Sequence, residues 1–255
     1  MLWDRISPEV SSKEIFMFHS LPRAEIVDRE QYIVDFCAGK KVVHLGAAQG
    51  NDANDLKVFE TTIDPQTFLH ARITQVATHC VGIDYNKAFV NHLNTNLGIS
   101  NILYGDIEDP QSLACIDIVP DVVVMGEIIE HISNPGLALS NIRATLMSDT
   151  TQLLVTMPNA LDASNFLYGL FRLEAQDPSH VATYTPRLFE SLCQKVGLRI
   201  LDLKYYQMGI STANRNYYKF DRWSPRRLLL FVYYNLLLRL NPGFSNGLVI
   251  VAAKS

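Results

Sequence analysis

The chain has 255 residues, 48% of them hydrophobic and 19% charged, with a formal net charge of −4. That balance suits one large domain, or a domain with an appended lobe, and excludes a disordered chain; at this length neither a disulfide nor a structural metal is needed for folding. The acidic balance provides no general attraction to nucleic acid or acidic membranes.

Cys37, Cys80, Cys115 and Cys193 are far apart and form no CxxC pair, which argues against zinc and thioredoxin chemistry. Their apolar surroundings predict four buried free thiols and a reducing, cytoplasmic setting. Met1-Leu2-Trp3-Asp4-Arg5 lacks the apolar run of a secretory leader.

Residues 1–40 read as a helical extension, with Ile26, Tyr32, Ile33 and Phe36 on an apolar face. KVVHLGAAQG, residues 41–50, opens as a buried strand and ends in small residues, which let a backbone approach something closely. Either a packed neighbour or a ligand satisfies that pattern. Residues 51–63 are polar and read as a loop or an insertion. Asp64-Pro65 predicts a helix start, with Phe68, Leu69, Ile73, Val76, Ala77 and Cys80 inward and His70, Arg72, Gln75 and His79 on the wet side. Val81–Asp84 is a second strand, Lys87–Leu97 a helix closed by Gly98, and Asn101–Tyr104 a third strand.

Asp121–Met125 is β-branched and apolar throughout, as a strand covered on both faces should be. Pro135–Leu146 is a helix and Gln152–Met157 a strand stopped by Pro158. Pro186–Val196 is a helix closed by Gly197. Arg199–Tyr205 and Gly247–Ala252 are the last two strands. Strands alternating with helices predict an α/β, doubly wound, seven-stranded and mostly parallel sheet. The expected divisions are a helical extension (1–40), a core (41–204), a lid or substrate segment (205–246) and a last core strand (247–255).

Ligands of such sheets bind at the carboxyl ends of the strands. Asp84, Asp106 and Glu127 stand there, and a carboxylate at a strand tip accepts well from ribose hydroxyls or an adenine amino group. GAAQG is neither a GxGxxG fingerprint nor a P-loop, and Asp84 follows Gly50 by 34 residues rather than the ~20 of a dinucleotide site. A nucleoside with little negative charge fits better than a phosphate ligand.

The ordered set VVHLGAAQG, VGIDYN, LYGDIED, PDVVVMGEIIEHISNP and LLVTMPNA resembles the class I S-adenosylmethionine-dependent methyltransferases over roughly residues 40–200. The resemblance implies a Rossmann-like fold and S-adenosylmethionine as cofactor. Gly46, Ala48 and Gly50 would then pass under the methionine part. Asp84 would accept the ribose hydroxyls, with Tyr85 against the adenine edge. Asp106 would hold the adenine amino group beside Ile107, and Gly126 and Glu127 would border the methionyl side. Two departures stand out: His44 replaces the family's usual acid, and Ala48 a usual glycine.

GEIIEHISNP holds Glu127, Glu130 and His131 within five residues, and His180 follows far downstream in SHVATYTP. The pattern E-x-x-E-H with a later H-x-x-x-Y-T resembles the ubiquinone-biosynthesis O-methyltransferases and the small-RNA 3′-terminal 2′-O-methyltransferases. That resemblance implies Glu127, Glu130, His131 and His180 as ligands of Mg²⁺ or another divalent cation, which would lower the pKa of a substrate hydroxyl. Two alternatives stay open: His131 or His180 as a metal-free general base, and a structural role. His19, His70, His79 and His92 read as bland.

The segment 205–246 carries tyrosines 205, 206, 217, 218, 233 and 234, with Arg215, Arg222, Arg226 and Arg227. Phe166, Leu167, Tyr168, Phe171 and Leu173 are candidates for another wall of an apolar pocket. Residues 228–240 are too short to span a bilayer, which needs about 20 apolar residues; they read as a core or lid helix with a thin polar stripe, the alternative being a peripheral membrane contact over 223–240 through Trp223, Arg226, Arg227 and the leucines. The expected activity is O-methylation of a small-molecule, sugar or lipid-linked hydroxyl. RNA 3′-terminal 2′-O-methylation is the alternative, disfavoured by the acidic charge; a non-catalytic binding partner of the same fold is the alternative from another class.

Overall fold

The structure, a computed structural model, describes residues 20–49, 56–57, 60, 63–64, 68–174, 176–207 and 236–255. Strands β1 (Ile26–Val27), β2 (Lys41–Leu45), β3 (His79–Asp84), β4 (Ile102–Tyr104), β5 (Val122–Gly126), β6 (Gln152–Pro158), β7 (Leu198–Tyr206) and β8 (Gly247–Lys254) form one sheet. Its order is β1-β7-β8-β6-β5-β2-β3-β4. Among the described strands only β8 runs antiparallel to its neighbours, β6 and β7.

Among the described residues the sheet therefore has eight strands rather than the expected seven. The extra strand lies inside the stretch read as helical, where Ile26 and Val27 pair with Tyr205 and Tyr206. Two β-branched residues at an open sheet edge gain ladder hydrogen bonds there, and Asp28 then caps the helix that follows. Ile26 thus leaves the predicted helical face.

Among the described residues the α-helices with defined bounds are α1 (Arg29–Cys37), α2 (Leu69–Val76), α3 (Lys87–Asn96), α4 (Pro110–Leu113), α5 (Pro135–Thr145), α6 (Ala163–Leu170) and α7 (Pro186–Lys195); residues 236–240 are also helical. Asn86, Asp109, Asn134, Asp162 and Thr185 each accept a backbone N–H at a helix start, so the chain supplies its own punctuation. The helix expected from Asp64-Pro65 is described from Leu69 and ends at Val76; Cys80 belongs to β3.

Successive strand residues face opposite sides of the sheet, so the apolar runs serve two cores. Val43, Leu45, Val123, Met125, Leu153 and Val155 pack with Leu139 and Ile142 of α5 and Phe189 and Cys193 of α7. Val42, Val122, Val124 and Leu154 pack on the other side with Ile33, Val34 and Cys37 of α1 and Leu69 and Ile73 of α2. Helix α1 is therefore a covering helix of the sheet.

Three thiols are buried as expected, but Cys115 is exposed, its Sγ donating to Ser112 O at 2.9 Å just after α4. Tyr205, read as both the end of a strand and the start of the lid, and Tyr206, read as lid, are buried residues of β7. Residues 208–235, with the remaining tyrosines and arginines of that segment, lie outside the described residues. Among the described residues, no helix is long and apolar enough to cross a membrane. Of the segment 223–240 only 236–240 is described; there Leu236 and Leu240 are exposed and Leu238 is buried.

Candidate active site

Strand order reverses between β2 and β5, which are adjacent, parallel, and followed by connections running to opposite sides. At such a switch point the loops diverge and leave a crevice above the strand ends. Its floor is Gly46–Gln49 after β2. Gly46 has φ +67, and a Cβ there would come within 2.4 Å of Ile128 Cδ1. The glycine is thus fixed by backbone hand and by the close approach of the β5 loop. Ala47 and Ala48 are fully buried, so small side chains are also needed for packing against Phe89 and Leu93 of α3. Gln49 takes φ +51 and accepts the Leu69 N–H at 2.7 Å, holding the start of α2. Gly50 lies outside the described residues.

Asp84 ends β3 directly beside this floor. One carboxylate oxygen accepts the Ala48 N–H at 3.0 Å and the other the Asn86 N–H at 2.9 Å. A carboxylate offers about four acceptor positions, so each oxygen keeps capacity for a hydroxyl donor. Burial raises its pKa, and the two N–H donors partly offset that. Tyr85 beside it is 63% exposed. Asp106, at the end of β4, is exposed and accepts the Glu108 N–H at 2.9 Å, while Ile107 packs inward on the core.

The expected acid of β2 is His44, and the structure gives it a partner. His70, expected on the wet side of α2, is fully buried, with its Nδ1 3.2 Å from His44 Nδ1. One ring donates and the other accepts, so the two Nδ1 atoms cannot both carry a proton, and burial keeps the pair neutral. Burial, then His70 and Arg29, hold His44 well below the usual imidazole range; burial pulls His70 down to about 4. Periodicity misplaced His70 because the space for its ring comes from another element: a Cβ on Gly82 of β3 would come within 2.8 Å of it.

The other wall is Gly126–His131 after β5. Glu127 has φ +54, a strained setting for a side chain that must be held in place. Three bonds hold it. Its N–H donates to Thr156 O at 3.0 Å, Thr156 Oγ1 donates to its Oε1 at 2.9 Å, and Tyr206 OH donates to its Oε2 at 2.8 Å. Burial, then the Glu127 charge, push the Tyr206 hydroxyl well up, so it remains a donor. The Arg29 guanidinium, at the start of α1, lies 5.9 Å from the Tyr206 ring centroid and within 3.9 Å of where a Cβ on Gly126 would stand. Arg29, Thr156 and Tyr206 were missed by sequence reasoning. They come from three separate elements, and only the sheet order brings them to Glu127.

Beyond Glu127 a short 3₁₀ turn, Ile129–His131, carries the remaining candidates. Glu130 is 1% exposed, and among the described residues neither carboxylate oxygen has a hydrogen-bond partner. Burial, then the Glu127 charge, push its pKa up to about 9. His180, from the connection between α6 and α7, meets His131 edge-on, ring centroids 4.6 Å apart. That connection is pinned because the Val181 N–H donates to Glu130 O at 2.8 Å. One ligand atom from each of Glu130, His131 and His180 lies within 4.8 Å of the others. Glu127, the fourth expected metal ligand, is not in this group; its oxygens are engaged by Thr156 and Tyr206. Asn159, at the tip of β6, is structural: it donates to Gly243 O and Ser245 O and is buried.

Residues 17–203 match the family described as "Methyltransferase domain". The chain belongs to that family. The methyltransferase fold recurs in solved structures of low identity, which speak for architecture alone. A SAM-dependent methyltransferase from Archaeoglobus fulgidus is 18% identical, with a TM-score of 0.51 over 88% of this chain and 90% of that one. Magnesium protoporphyrin IX methyltransferase (ChlM) from Synechocystis PCC 6803, solved with bound SAH, is 12% identical, with a TM-score of 0.51 over 89% and 82%. The small RNA methyltransferase HEN1 is 12% identical, with a TM-score of 0.50 over 93% of this chain and 27% of that one. No curated protein matches the chain. Its fold is that of the class I S-adenosylmethionine-dependent methyltransferases, with Asp84, the Gly46–Gln49 turn and Glu127 gathered above β2, β3 and β5.

Proposed function

We propose that this methyltransferase methylates a hydroxyl of a small, partly apolar acceptor, with the Glu130–His131–His180 cluster assisting. The observation that carries this reading is Glu130. A buried carboxylate with neither oxygen hydrogen-bonded is costly unless a ligand completes it, and two imidazoles lie within reach. Carboxylate and imidazole donors suit Mg²⁺, Mn²⁺ or Zn²⁺. The residues therefore fit a divalent cation held by Glu130, His131 and His180, which when bound would acidify an acceptor hydroxyl and fix its oxygen.

The remaining roles belong to the chain itself. Asp84 receives the ribose hydroxyls, and Tyr85, Asp106 and Ile107 border the adenine. The backbone of the turn that holds Gly46 and Ala48 passes under the methionyl chain. Glu127, with Gly126 behind it, faces the donor's ammonium in place of the acid that His44 replaces, and Arg29 faces its carboxylate. Phe166, Phe171 and Leu173 are exposed beside the connection that carries His180, which favours an apolar acceptor over RNA. The cluster resembles the ligand set implied by the ubiquinone-biosynthesis O-methyltransferase pattern, without Glu127.

The test is methyl transfer from labelled donor into a metabolite extract, with and without EDTA. Activity lost in EDTA and restored by Mg²⁺ or Mn²⁺ supports the cation. Activity indifferent to EDTA but lost in His131→Ala leaves His131 as a metal-free base and overturns the cation.

A further inference from the structure

The connection between α6 and α7 holds two residues that no motif singled out. Asp177 Oδ1 accepts both the N–H of Ser179 at 2.8 Å and its hydroxyl at 2.5 Å. The same Ser179 Oγ lies 3.0 Å from His131 Nδ1. A serine hydroxyl has one proton, and an ionised carboxylate only accepts. The Ser179 proton is therefore committed to Asp177, and a lone pair of Oγ faces the imidazole. The 3.0 Å contact is a hydrogen bond only if His131 Nδ1 carries hydrogen and donates.

We propose that Asp177 and Ser179 form a relay that fixes His131 as its Nδ1–H tautomer, leaving Nε2 as the bare nitrogen. Nε2 is the atom on the Glu130 side, 4.0 Å from Glu130 Oε1. The relay therefore aims the ring's lone pair into the cluster and its proton away from it. Either use of His131, as base or as ligand, needs that lone pair. Asp177 and Ser179 are positioning residues in this account, which rests on the proposed role of His131 but is tested without it.

The relay makes an uneven prediction for its two members. Ser179→Ala removes the acceptor, so the ring loses its bias and both tautomers are populated. Asp177→Ala does more, because the freed Ser179 hydroxyl can then donate to Nδ1 and drive the proton to Nε2. Ser179→Thr keeps the hydroxyl and restores the wild-type state.

Long-range proton–nitrogen NMR of the full chain, with EDTA present and at about pH 8, well above the ordinary imidazole range, distinguishes a protonated ring nitrogen from a bare one. The His131 signals are assigned from their loss in His131→Gln. The expected result is Nδ1–H in the wild type and in Ser179→Thr, a mixture in Ser179→Ala, and Nε2–H in Asp177→Ala. Nε2–H in the wild type, or no change in Asp177→Ala, overturns the relay. In methyl transfer, Ser179→Ala should lower kcat about tenfold or more with KM little changed, and Asp177→Ala should lower it further. If the tautomers shift as stated while kcat holds, the relay stands and the role proposed for His131 fails.

Discussion

Gly247→Ala tests how Glu127 is held. Gly247 opens β8 directly opposite Tyr206 of β7. A Cβ at 247 would stand 1.9 Å from Tyr206 Cζ and 2.3 Å from its hydroxyl oxygen. The ring is 1% exposed, so it has no free direction in which to swing. Overpacking of a filled core costs roughly 1–3 kcal/mol. Displacing the ring also breaks the Tyr206–Glu127 hydrogen bond, and a bond to a charged group contributes about 1.5–3 kcal/mol. The expected loss is about 3–5 kcal/mol, a large part of a typical domain's stability. At roughly 2–4 °C per kcal/mol for a chain of this size, the melting temperature should fall by about 10 °C. Tyr206→Phe should show only the hydrogen-bond share. In a Tyr206→Ala background the added methyl meets no ring, and Gly247→Ala should cost less than about 0.5 kcal/mol. A Gly247→Ala protein that melts with the wild type, or loses as much in both backgrounds, would refute the reasoning.

Gly46→Ala combines left-handed backbone strain of roughly 1–2 kcal/mol with the contact to Ile128. It should lower the melting temperature and weaken S-adenosylhomocysteine binding in calorimetry, and Ile128→Ala should recover only the contact share. His70 supplies a pH dependence. Its folded pKa, about 4, lies below its ordinary value of 6.5, so its stabilisation is complete above pH 6.5 and is lost as pH falls through 4. The gap corresponds to roughly 3 kcal/mol. Urea unfolding between those pH values should show a shallower pH slope for His70→Leu than for the wild type; equal slopes would remove the buried pair from the account.

Much of the fold was legible because the strands are uniform. A run such as Val122–Val124, β-branched and bounded by turn residues, has few alternatives to a doubly covered strand. The helix caps were equally local, so α5 and α7 begin at Pro135 and Pro186 as expected. β1 was not legible: two residues carry no period, and their pairing is decided by the open edge of β7. Asp84, the strand-end carboxylate that the motif order singles out, stands at the crevice. The relations between side chains were hidden. His70 is buried by Gly82 and His44, Glu127 is held by Tyr206 across 79 residues of sequence, and Ser179 meets His131 across 48. Such contacts depend on strand order and loop return, neither of which leaves a spacing in one sequence.

The account stands most directly on the grip of Asp84 on a nucleoside at the rim of β3. Calorimetric titration of the full chain with S-adenosylhomocysteine should give one site, and Asp84→Ala should bind at least about tenfold more weakly, having lost hydrogen bonds to a charged group. Absence of binding by the wild type, or an Asp84→Ala protein that binds as tightly as the wild type, would contradict it.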